Sequence, residues 1–212
     1  MAHIVSIAMV ILLLTSVNPS QANEFESSWE VVESGTSEDL LTATEFEGEV
    51  WAFGTGGAML NSGDNGMSWT VYESPTTANI LNSASGFGSL LVSGDSGLVL
   101  LRESGDDSWT DISLPEEDSV NGISLTGSET AVAVGNQGTI WNLESGVWTK
   151  TALSIESDLL DVSFLDEELG IIVGSEGTIL FSEDGGESWE YREAPEGTGD
   201  AVIVSAEFYS PT

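Results

Sequence analysis

Tryptophans recur along this chain at nearly constant intervals. Five of them, Trp29, Trp69, Trp109, Trp148 and Trp189, are separated by gaps of 40, 40, 39 and 41 residues. Self-similarity at a fixed period of this length indicates a repeat architecture, in which each unit buries its apolar faces only by stacking against its neighbours. The period therefore constrains the fold more strongly than any single motif does.

A second motif recurs at about the same position in each interval between tryptophans. It is a Gly-x-x-Gly turn, found in the segments GTGG, GDSG, GNQG and GSEG. The glycines are Gly54 and Gly57, Gly94 and Gly97, Gly135 and Gly138, and Gly174 and Gly177. Around the last of these turns lie the segments DLLDVSF, LGIIVG, TILFS and SWEYRE, short runs separated by turn residues. Each repeat therefore supplies four strands.

A period near 40 residues with four short strands predicts a β-propeller, in which small sheets pack face to face around an axis. A β-sandwich would not explain why five tryptophans recur at a nearly constant spacing. We expect an all-β domain over residues 23–212, with blade repeats starting near residues 29, 69, 109, 148 and 189. Four blades are complete, and a partial one combines an outer strand at Trp29 with an inner strand near DAVIVSAEF. Since two middle strands, about 20 residues, are missing from a fifth blade, we expect an open or truncated propeller.

The polar stretch SEDGGESW shows how a turn can position a tryptophan. The Asp184 carboxylate is placed to accept backbone N–H groups across the hairpin, and Gly186 can adopt the positive φ that such a turn needs. Ser182 and Ser188 can hold the two flanks. Trp189 then starts the outer strand and buries about 150–250 Å² between sheets.

The pattern S-x-D-x-G-x-S/T-W resembles the Asp-box, or bacterial neuraminidase repeat. Two copies are complete, SGDNGMSW with Ser62, Asp64, Gly66 and Trp69, and SEDGGESW with Ser182, Asp184, Gly186 and Trp189. The longer frame of residues 159–189 is similar to the repeat of the photosystem II assembly and stability factor family of propellers. The resemblance covers residues 29–208 and implies that the boxes lie at the blade periphery, with structural roles for both aspartates.

Two repeats depart from this pattern. In RESGDDSW the residues Arg102, Ser104 and Asp106 occupy the Ser, Asp and Gly positions, and in NLESGVW the turn before Trp148 is shortened. These two loops are not expected to share the geometry of the Asp-box.

The N-terminus carries the features of an export signal. Residues 4–17 form one apolar run, followed by NPSQA, which places Ser20 and Ala22 at the small-residue positions of a cleavage site. We interpret residues 1–22 as a signal peptide and expect an extracellular or periplasmic protein with no stable membrane insertion after cleavage. An uncleaved anchor remains an alternative, although the run is shorter than the ~20 residues of a spanning helix.

Composition excludes several classes of activity. The chain has no cysteine, and its one histidine, His3, lies in the leader, so Ser-His-Asp and Cys-His nucleophiles and zinc sites are excluded. Sialidases grip their substrate with three arginines, whereas this chain has only Arg102 and Arg192. We expect no cofactor beyond weak, non-specific cation binding. Calcium ligation by Asp64 and Asp184 is the alternative, but no D-x-D-x-D-G loop accompanies them.

The formal net charge of -33, with 36 acids against three basic residues, disfavours nucleic acid and anionic lipid. We therefore predict a secreted, non-enzymatic binding or scaffolding module, whose partner is a protein or a polysaccharide held by loops at one end of the propeller axis. The alternative is an Asp-box glycoside hydrolase using paired carboxylates, but acids spread along the whole chain single out no pair. The family resemblance would also call for basic residues that face a photosystem partner, and this chain has almost none. The resemblance therefore implies the repeat architecture and not the role of a photosystem assembly factor.

The charge generates a prediction about stability. At about 1 M salt the screening length falls to roughly 3 Å, which largely removes the repulsion among the carboxylates. We expect the thermal unfolding midpoint to rise strongly from low salt to molar salt, as measured by circular dichroism. A midpoint that stays flat would show that the acids are compensated individually.

Overall fold

The computed structural model describes residues 31–151, 153–193 and 201–208. Sixteen strands form four antiparallel sheets, and each sheet contains four strands that are consecutive in the chain. Two single turns of 3-10 helix, Thr55–Gly57 and Asp95–Gly97, are the helical elements of this part of the chain. The predicted all-β class and the four four-stranded blades are therefore confirmed.

Each sheet is one blade, and its strands run from the first, innermost strand to the last, outermost one. Blade 1 contains β1 (Leu40–Phe46), β2 (Glu49–Gly54), β3 (Met59–Ser62) and β4 (Thr70–Tyr72). Blade 2 contains β5 (Ile80–Gly86), β6 (Ser89–Gly94), β7 (Val99–Glu103) and β8 (Thr110–Asp111). Blade 3 contains β9 (Val120–Leu125), β10 (Thr130–Gly135), β11 (Ile140–Glu144) and β12 (Val147–Thr151). Blade 4 contains β13 (Leu159–Phe164), β14 (Gly170–Gly174), β15 (Ile179–Ser182) and β16 (Glu190–Tyr191).

The second and third strands of each blade supply most of the core, and in blades 2 and 3 neighbouring sheets cover both of their faces. In β6, for example, all six residues of SLLVSG are buried, whereas both residues of the outer strand β8 are exposed. Such continuous burial explains why the middle strands are runs of Val, Leu and Ile rather than alternating patterns. Solvent meets mainly the outer strands and the loops.

Apolar clusters between successive blades hold the sheets together. Between blades 1 and 2, Trp51, Phe53 and Met59 pack with Leu90 and Val92. Equivalent clusters join blades 2 and 3, and blades 3 and 4. The core is therefore a series of layers between sheets.

The up-and-down order of the strands gives the molecule two ends. The loops β1–β2 and β3–β4, with their equivalents in the other blades, lie at one end, which we call the hairpin face. The β2–β3 turns lie at the other end together with the connections between blades, and we call this end the linker face.

The first glycine of each Gly-x-x-Gly turn permits a close contact between backbone segments. A Cβ atom on Gly94 would lie 1.9 Å from the carbonyl oxygen of Asn79, the residue before the inner strand of the same blade. The same approach occurs at Gly54, Gly135 and Gly174, at distances of 1.8, 2.3 and 2.2 Å. No side chain fits there, which accounts for the repetition of glycine at this position.

The second glycine of each turn meets the connection to the next blade. A Cβ atom on Gly57, Gly97 or Gly138 would lie 2.1–2.3 Å from a carbonyl oxygen of that connection, and all three residues have positive φ. Gly177, also at positive φ, donates its N–H to the carbonyl of Ala201 at 2.7 Å. In blades 1 to 3 the second glycine contacts the connection to the next blade. Residues 201–208 therefore begin at the equivalent position of blade 4.

Residues 201–208 lie beside the inner strand of blade 4, where the inner strand of a next blade would lie. The Ile203 N–H donates to the carbonyl of Gly174 at 3.0 Å, and the Phe208 ring stands 6.5 Å from that of Phe181. The sequence predicts an inner strand here, and the segment takes that position without forming a regular ladder. Trp29 and the proposed signal peptide lie outside the described residues.

The glycine contact yields a test of the turn. Gly94→Ala places a methyl group against the Asn79 carbonyl, so the backbone must shift, and we expect a loss of at least about 2 kcal/mol in unfolding free energy. Gly63→Ala is the control, because its Cβ would meet nothing within 4 Å. Equal urea midpoints for the two variants would contradict this account of the turn.

Candidate binding site

The inner strands surround a cavity of about 860 Å³ on the axis of the blades. Its walls come from β1, β5, β9 and β13 and from residues 204–207, with Phe87 at the end nearest the hairpin face. All four blades and the last described segment thus contribute to one space. A cavity of this size falls in the range that accommodates small ligands and short peptide segments.

Hydroxyl and amide side chains tie neighbouring inner strands together along this wall. The hydroxyls of Thr42 and Ser83 are 2.8 Å apart, and those of Thr44 and Ser85 are 2.9 Å apart. Asn121 donates from its amide to the carbonyl of Leu159 at 2.9 Å. These bonds connect blades 1 and 2, and blades 3 and 4, so the polar wall also holds neighbouring blades together.

Two carboxylates line the cavity, Asp161 and Glu207. Asp161 accepts three hydrogen bonds, from the Val162 N–H at 3.0 Å, the Ser205 hydroxyl at 2.7 Å and the Ala206 N–H at 3.1 Å. The bonds from Ser205 and Ala206 attach residues 201–208 to blade 4. Asp161 therefore acts as a structural acceptor in the wall.

Side chains also cap backbone amides on the inner strands. Asn82 accepts the Ser83 N–H through its side-chain oxygen at 2.6 Å, and Asp161 does the same for Val162. An edge whose amides are satisfied in this way is a poor template for the addition of another strand. A ligand in the cavity would be recognised through side chains more than through a new β-ladder.

The two complete Asp-boxes lie at the hairpin face, between the third and fourth strands of blades 1 and 4, away from the cavity. In blade 1 the Ser62 hydroxyl donates to Asp64 at 2.8 Å and accepts the Gly66 N–H at 2.8 Å. Asp64 also accepts the N–H of Ser68 at 2.8 Å and its hydroxyl at 2.7 Å. The serine and aspartate side chains of the motif thus find their partners within eight residues.

Blade 4 repeats this network atom for atom. Ser182 donates to Asp184 at 2.8 Å and accepts the Gly186 N–H at 2.9 Å, while Ser188 donates its N–H and its hydroxyl to Asp184. Gly186 has a φ of 90°, and Trp189 donates its indole N–H to the Gly186 carbonyl at 3.2 Å. This tryptophan is only 9% exposed.

Hydrogen bonding lowers the pKa of both box aspartates. The Ser68 hydroxyl, followed by the Ser68 N–H and the Ser62 hydroxyl, lowers the pKa of Asp64 to about 2. The Ser188 hydroxyl is the largest cause that lowers the pKa of Asp184. Both carboxylates are therefore firmly ionised and act as acceptors, which is unlike the raised pKa that a general acid needs.

Blades 2 and 3 close the corresponding turn differently. In blade 2, Asp106 accepts the N–H and hydroxyl of Ser108, both at 2.8 Å, while Ser104 and Gly105 bond to Glu47 of blade 1. In blade 3, Ser145 and Gly146 form a two-residue turn, both with positive φ. Neither loop contains the network of the complete boxes.

Arg102 replaces the serine of the box and lies between blades 1 and 2. Its guanidinium stands 5.0 Å from the centre of the Trp51 ring, and the residue is 7% exposed. It bonds to the Asp107 carboxylate at 2.9 Å, and the Tyr72 hydroxyl donates to the Asp107 carbonyl at 2.7 Å. A cation–π contact and an ion pair thus hold this turn in place of serine and aspartate.

Three of the periodic tryptophans pack against the blade that precedes their own. Trp109 makes edge-on contacts with Trp51 and Phe53, with ring centres 6.1 Å apart in both pairs. Trp148 lies in the cluster between blades 2 and 3 and donates its indole N–H to the Ile112 carbonyl at 2.6 Å. Trp189 lies in the cluster between blades 3 and 4, and Trp69 stands at the same position of blade 1.

All three basic side chains of the chain form ion pairs. Arg102 pairs with Asp107 and Arg192 with Glu190, and Lys150 contacts Glu116 and Asp118 at the linker face. The hydrogen bonds that Lys150 donates to Glu116 and Asp118 raise the pKa of its ammonium group. Among the residues that the structure describes, the other carboxylates form no ion pair with these three side chains.

In the part of the chain that the structure describes, no group of three or more His, Cys, Asp or Glu side chains is arranged to hold a metal ion. Within the same residues, helices of the length and apolarity needed to cross a bilayer are lacking.

The boxes, turns and tryptophans follow patterns that are visible in the sequence, whereas the cavity residues, Phe87 and the burial of Arg102 were not predicted. The polar residues of the inner strands, such as Thr42 and Ser83, come shortly after the connection that enters each blade. If the four repeats were aligned on their turn glycines, these residues would fall at neighbouring positions. Phe87 precedes Gly88 in a two-residue turn, where asparagine is the usual residue. That mismatch was a signal in the sequence.

The lowered pKa values predict how the box responds to pH. Because the folded-state pKa of each box aspartate is below the unfolded value of about 3.9, the stabilisation is complete above about pH 5 and is lost as pH falls through the folded-state pKa, which for Asp64 is about 2. Asp184→Asn should cost about 1 kcal/mol near neutral pH, since the group is largely exposed, and this deficit should shrink through that window. Chemical unfolding at a series of pH values measures this loss of unfolding free energy, and Glu183→Gln in the same loop is the control. A loss that does not depend on pH would contradict the conclusion that the ionised carboxylate stabilises the turn.

Comparisons with known proteins address the resemblance directly. The family model for the photosynthesis system II assembly factor YCF48 matches residues 140–210. A comparison with curated proteins finds no match.

Among solved structures, YCF48 bound to D1 peptide superposes with a TM-score of 0.59 and 18% identity, covering 78% of this chain and 57% of the other. RRP9 WD40 repeats superpose with a TM-score of 0.65 and 12% identity, covering 75% and 52%. YCF48 from Cyanidioschyzon merolae gives a TM-score of 0.48 and 15% identity, over 81% and 88%. The chain thus spans little more than half the length of the first and of the WD40 structure. It is a β-propeller of Asp-box type whose repeats resemble those of YCF48.

Proposed function

We propose that this chain is an exported, non-enzymatic propeller that binds a segment of a partner protein at the hairpin-face end of its axial cavity. The observation that carries the proposal is the cavity itself, because four blades and residues 201–208 all contribute to its wall. Hydroxyl, amide and aliphatic side chains alternate along that wall, and such a mixture suits a peptide better than a highly charged ligand.

The comparison with YCF48 supports a protein ligand, since that propeller was solved bound to D1 peptide. The low identity carries over the fold and not the partner. A net charge of -33 favours a partner segment that carries Lys or Arg. Export follows from the interpretation of residues 1–22 and belongs to the same proposal.

An enzymatic role has weaker support. The box aspartates are ionised acceptors held within their own turns, and Asp161 of the cavity wall accepts three hydrogen bonds. A glycoside hydrolase would need one carboxylic acid that stays protonated beside a second carboxylate. We therefore propose binding without turnover, and polysaccharide serves as a competing ligand in the test.

The experiment fills the cavity and asks whether binding is lost. Ala43 lines the cavity and is exposed, so Ala43→Trp places a large ring in that space. Val147, 64% exposed on the outer strand β12, gives the control variant Val147→Trp. Wild type and variants are panned at physiological salt against a displayed random peptide library and, separately, against a polysaccharide array.

We expect wild type and Val147→Trp to enrich peptides and Ala43→Trp to enrich none, while all three proteins melt at similar temperatures. Enrichment that is equal for Ala43→Trp would place the site elsewhere. Binding to polysaccharide alone, or hydrolysis of a bound glycan, would replace the proposed function.

A further inference from the structure

Phe87 occupies a turn position that local chemistry does not favour for an aromatic residue. It forms the two-residue connection between β5 and β6 with Gly88, and the two residues have φ values of 51° and 78°. Positive φ at both positions characterises type I′ turns, which prefer Asn, Asp or Gly at the first of them. A bulky side chain in the left-handed region is an outlier that needs another explanation.

Packing does not supply that explanation. The Phe87 side chain is 52% exposed and is not part of the described apolar clusters between blades. The equivalent turn of blade 1 has Glu47 followed by Gly48, and the β11–β12 turn has Ser145 followed by Gly146. Polar residues are therefore adequate in turns of this kind, and the aromatic ring of Phe87 serves neither the turn nor the core.

The Phe87 ring lies where two cavities meet. Phe87 lines the axial cavity and also a second cavity of about 480 Å³, which extends outward along the hairpin face. This second cavity is bounded by the β7–β8 loop of blade 2 and by Ser128 and Glu129 of blade 3. The exposed ring thus stands at the junction of two spaces.

The two cavities differ in chemistry. Leu125 and Phe164 add apolar surface to the axial cavity near Phe87. The second cavity is bounded by three carboxylates, Glu103, Asp106 and Glu129. The ion pairs of the three basic side chains of the chain involve none of these three acids. The apolar surface of the axial cavity near Phe87 therefore lies beside a second cavity whose carboxylates can accommodate a positive charge.

We propose that Phe87 anchors a docking surface for an extended protein segment in which an apolar residue stands next to Lys or Arg. The apolar side chain packs on the Phe87 ring at the mouth of the axial cavity. The cation reaches the second cavity, where the carboxylates and the face of the ring both attract it. This inference rests on the proposed function, since it specifies the partner of the same site.

The test uses a substitution that improves the turn while removing the anchor. Phe87→Asn places a residue that type I′ turns prefer at this position, so its melting temperature should be equal to or above that of wild type. Its affinity for a synthetic peptide taken from the pool enriched by wild type should fall at least about 10-fold, measured by fluorescence anisotropy. Val147→Asn is the control for loss of an exposed apolar residue.

A second pair of variants tests the cation. Glu103→Gln with Glu129→Gln removes two charges from the second cavity, and Glu73→Gln with Glu156→Gln removes two exposed charges from the connections at the linker face. We expect only the first pair to weaken the peptide, by about 10-fold, and to lose the preference for Lys or Arg over Ala in that peptide.

The outcomes separate the two proposals. If wild type enriches peptides but Phe87→Asn binds them equally, or if the enriched peptides have no basic residue, the docking surface is wrong while the proposed function stands. If wild type enriches no peptide, both are overturned. A stable Phe87→Asn variant with weakened binding, together with the charge-pair result, supports the docking surface.

Discussion

The packing of each sheet against the sheet before it is the interaction on which the rest of the structure depends. Trp109, Trp148 and Trp189 each contribute a ring to the cluster with the preceding blade. At about 25 cal/mol per Å², one buried tryptophan contributes several kcal/mol before costs are counted. Because the chain has no cysteine, this packing has to hold the blades without disulfides.

The tryptophan period and the Gly-x-x-Gly turns were enough to predict the blades because both record backbone constraints that recur in every repeat. Gly94 is glycine because its Cβ would overlap the Asn79 carbonyl, and a constraint of this kind is visible in sequence. The Asp-box was predictable for the same reason, since its hydrogen bonds close within eight residues. Local geometry leaves a local pattern.

The cavity was not predicted from these motifs because its walls combine polar and aliphatic residues of all four inner strands, which form no conspicuous motif within any one repeat. Thr42 and Ser83 are 41 positions apart, and Asp161 meets Ser205 across 44 positions. Arg102 was assigned only to a degenerate loop, whereas its burial depends on Trp51 and Tyr72 of another blade. Contacts of this kind follow from how neighbouring sheets stack. Although Thr42–Ser83 and Thr44–Ser85 are both separated by about one repeat, single polar residues on a strand do not stand out before the repeats are aligned.

The attachment of residues 201–208 has a consequence for the order in which the molecule opens. This segment is held to blade 4 by a few contacts and not by a full ladder; they involve Asp161, Gly174, Gly177 and the Phe181 ring. The main contacts between sheets join blades that are consecutive in the chain, so local opening can proceed one unit at a time. Amide protons near blade 4 and this segment should thus exchange with solvent earlier than those of β6 and β10, and one wall of the cavity can loosen while the opposite wall stays rigid.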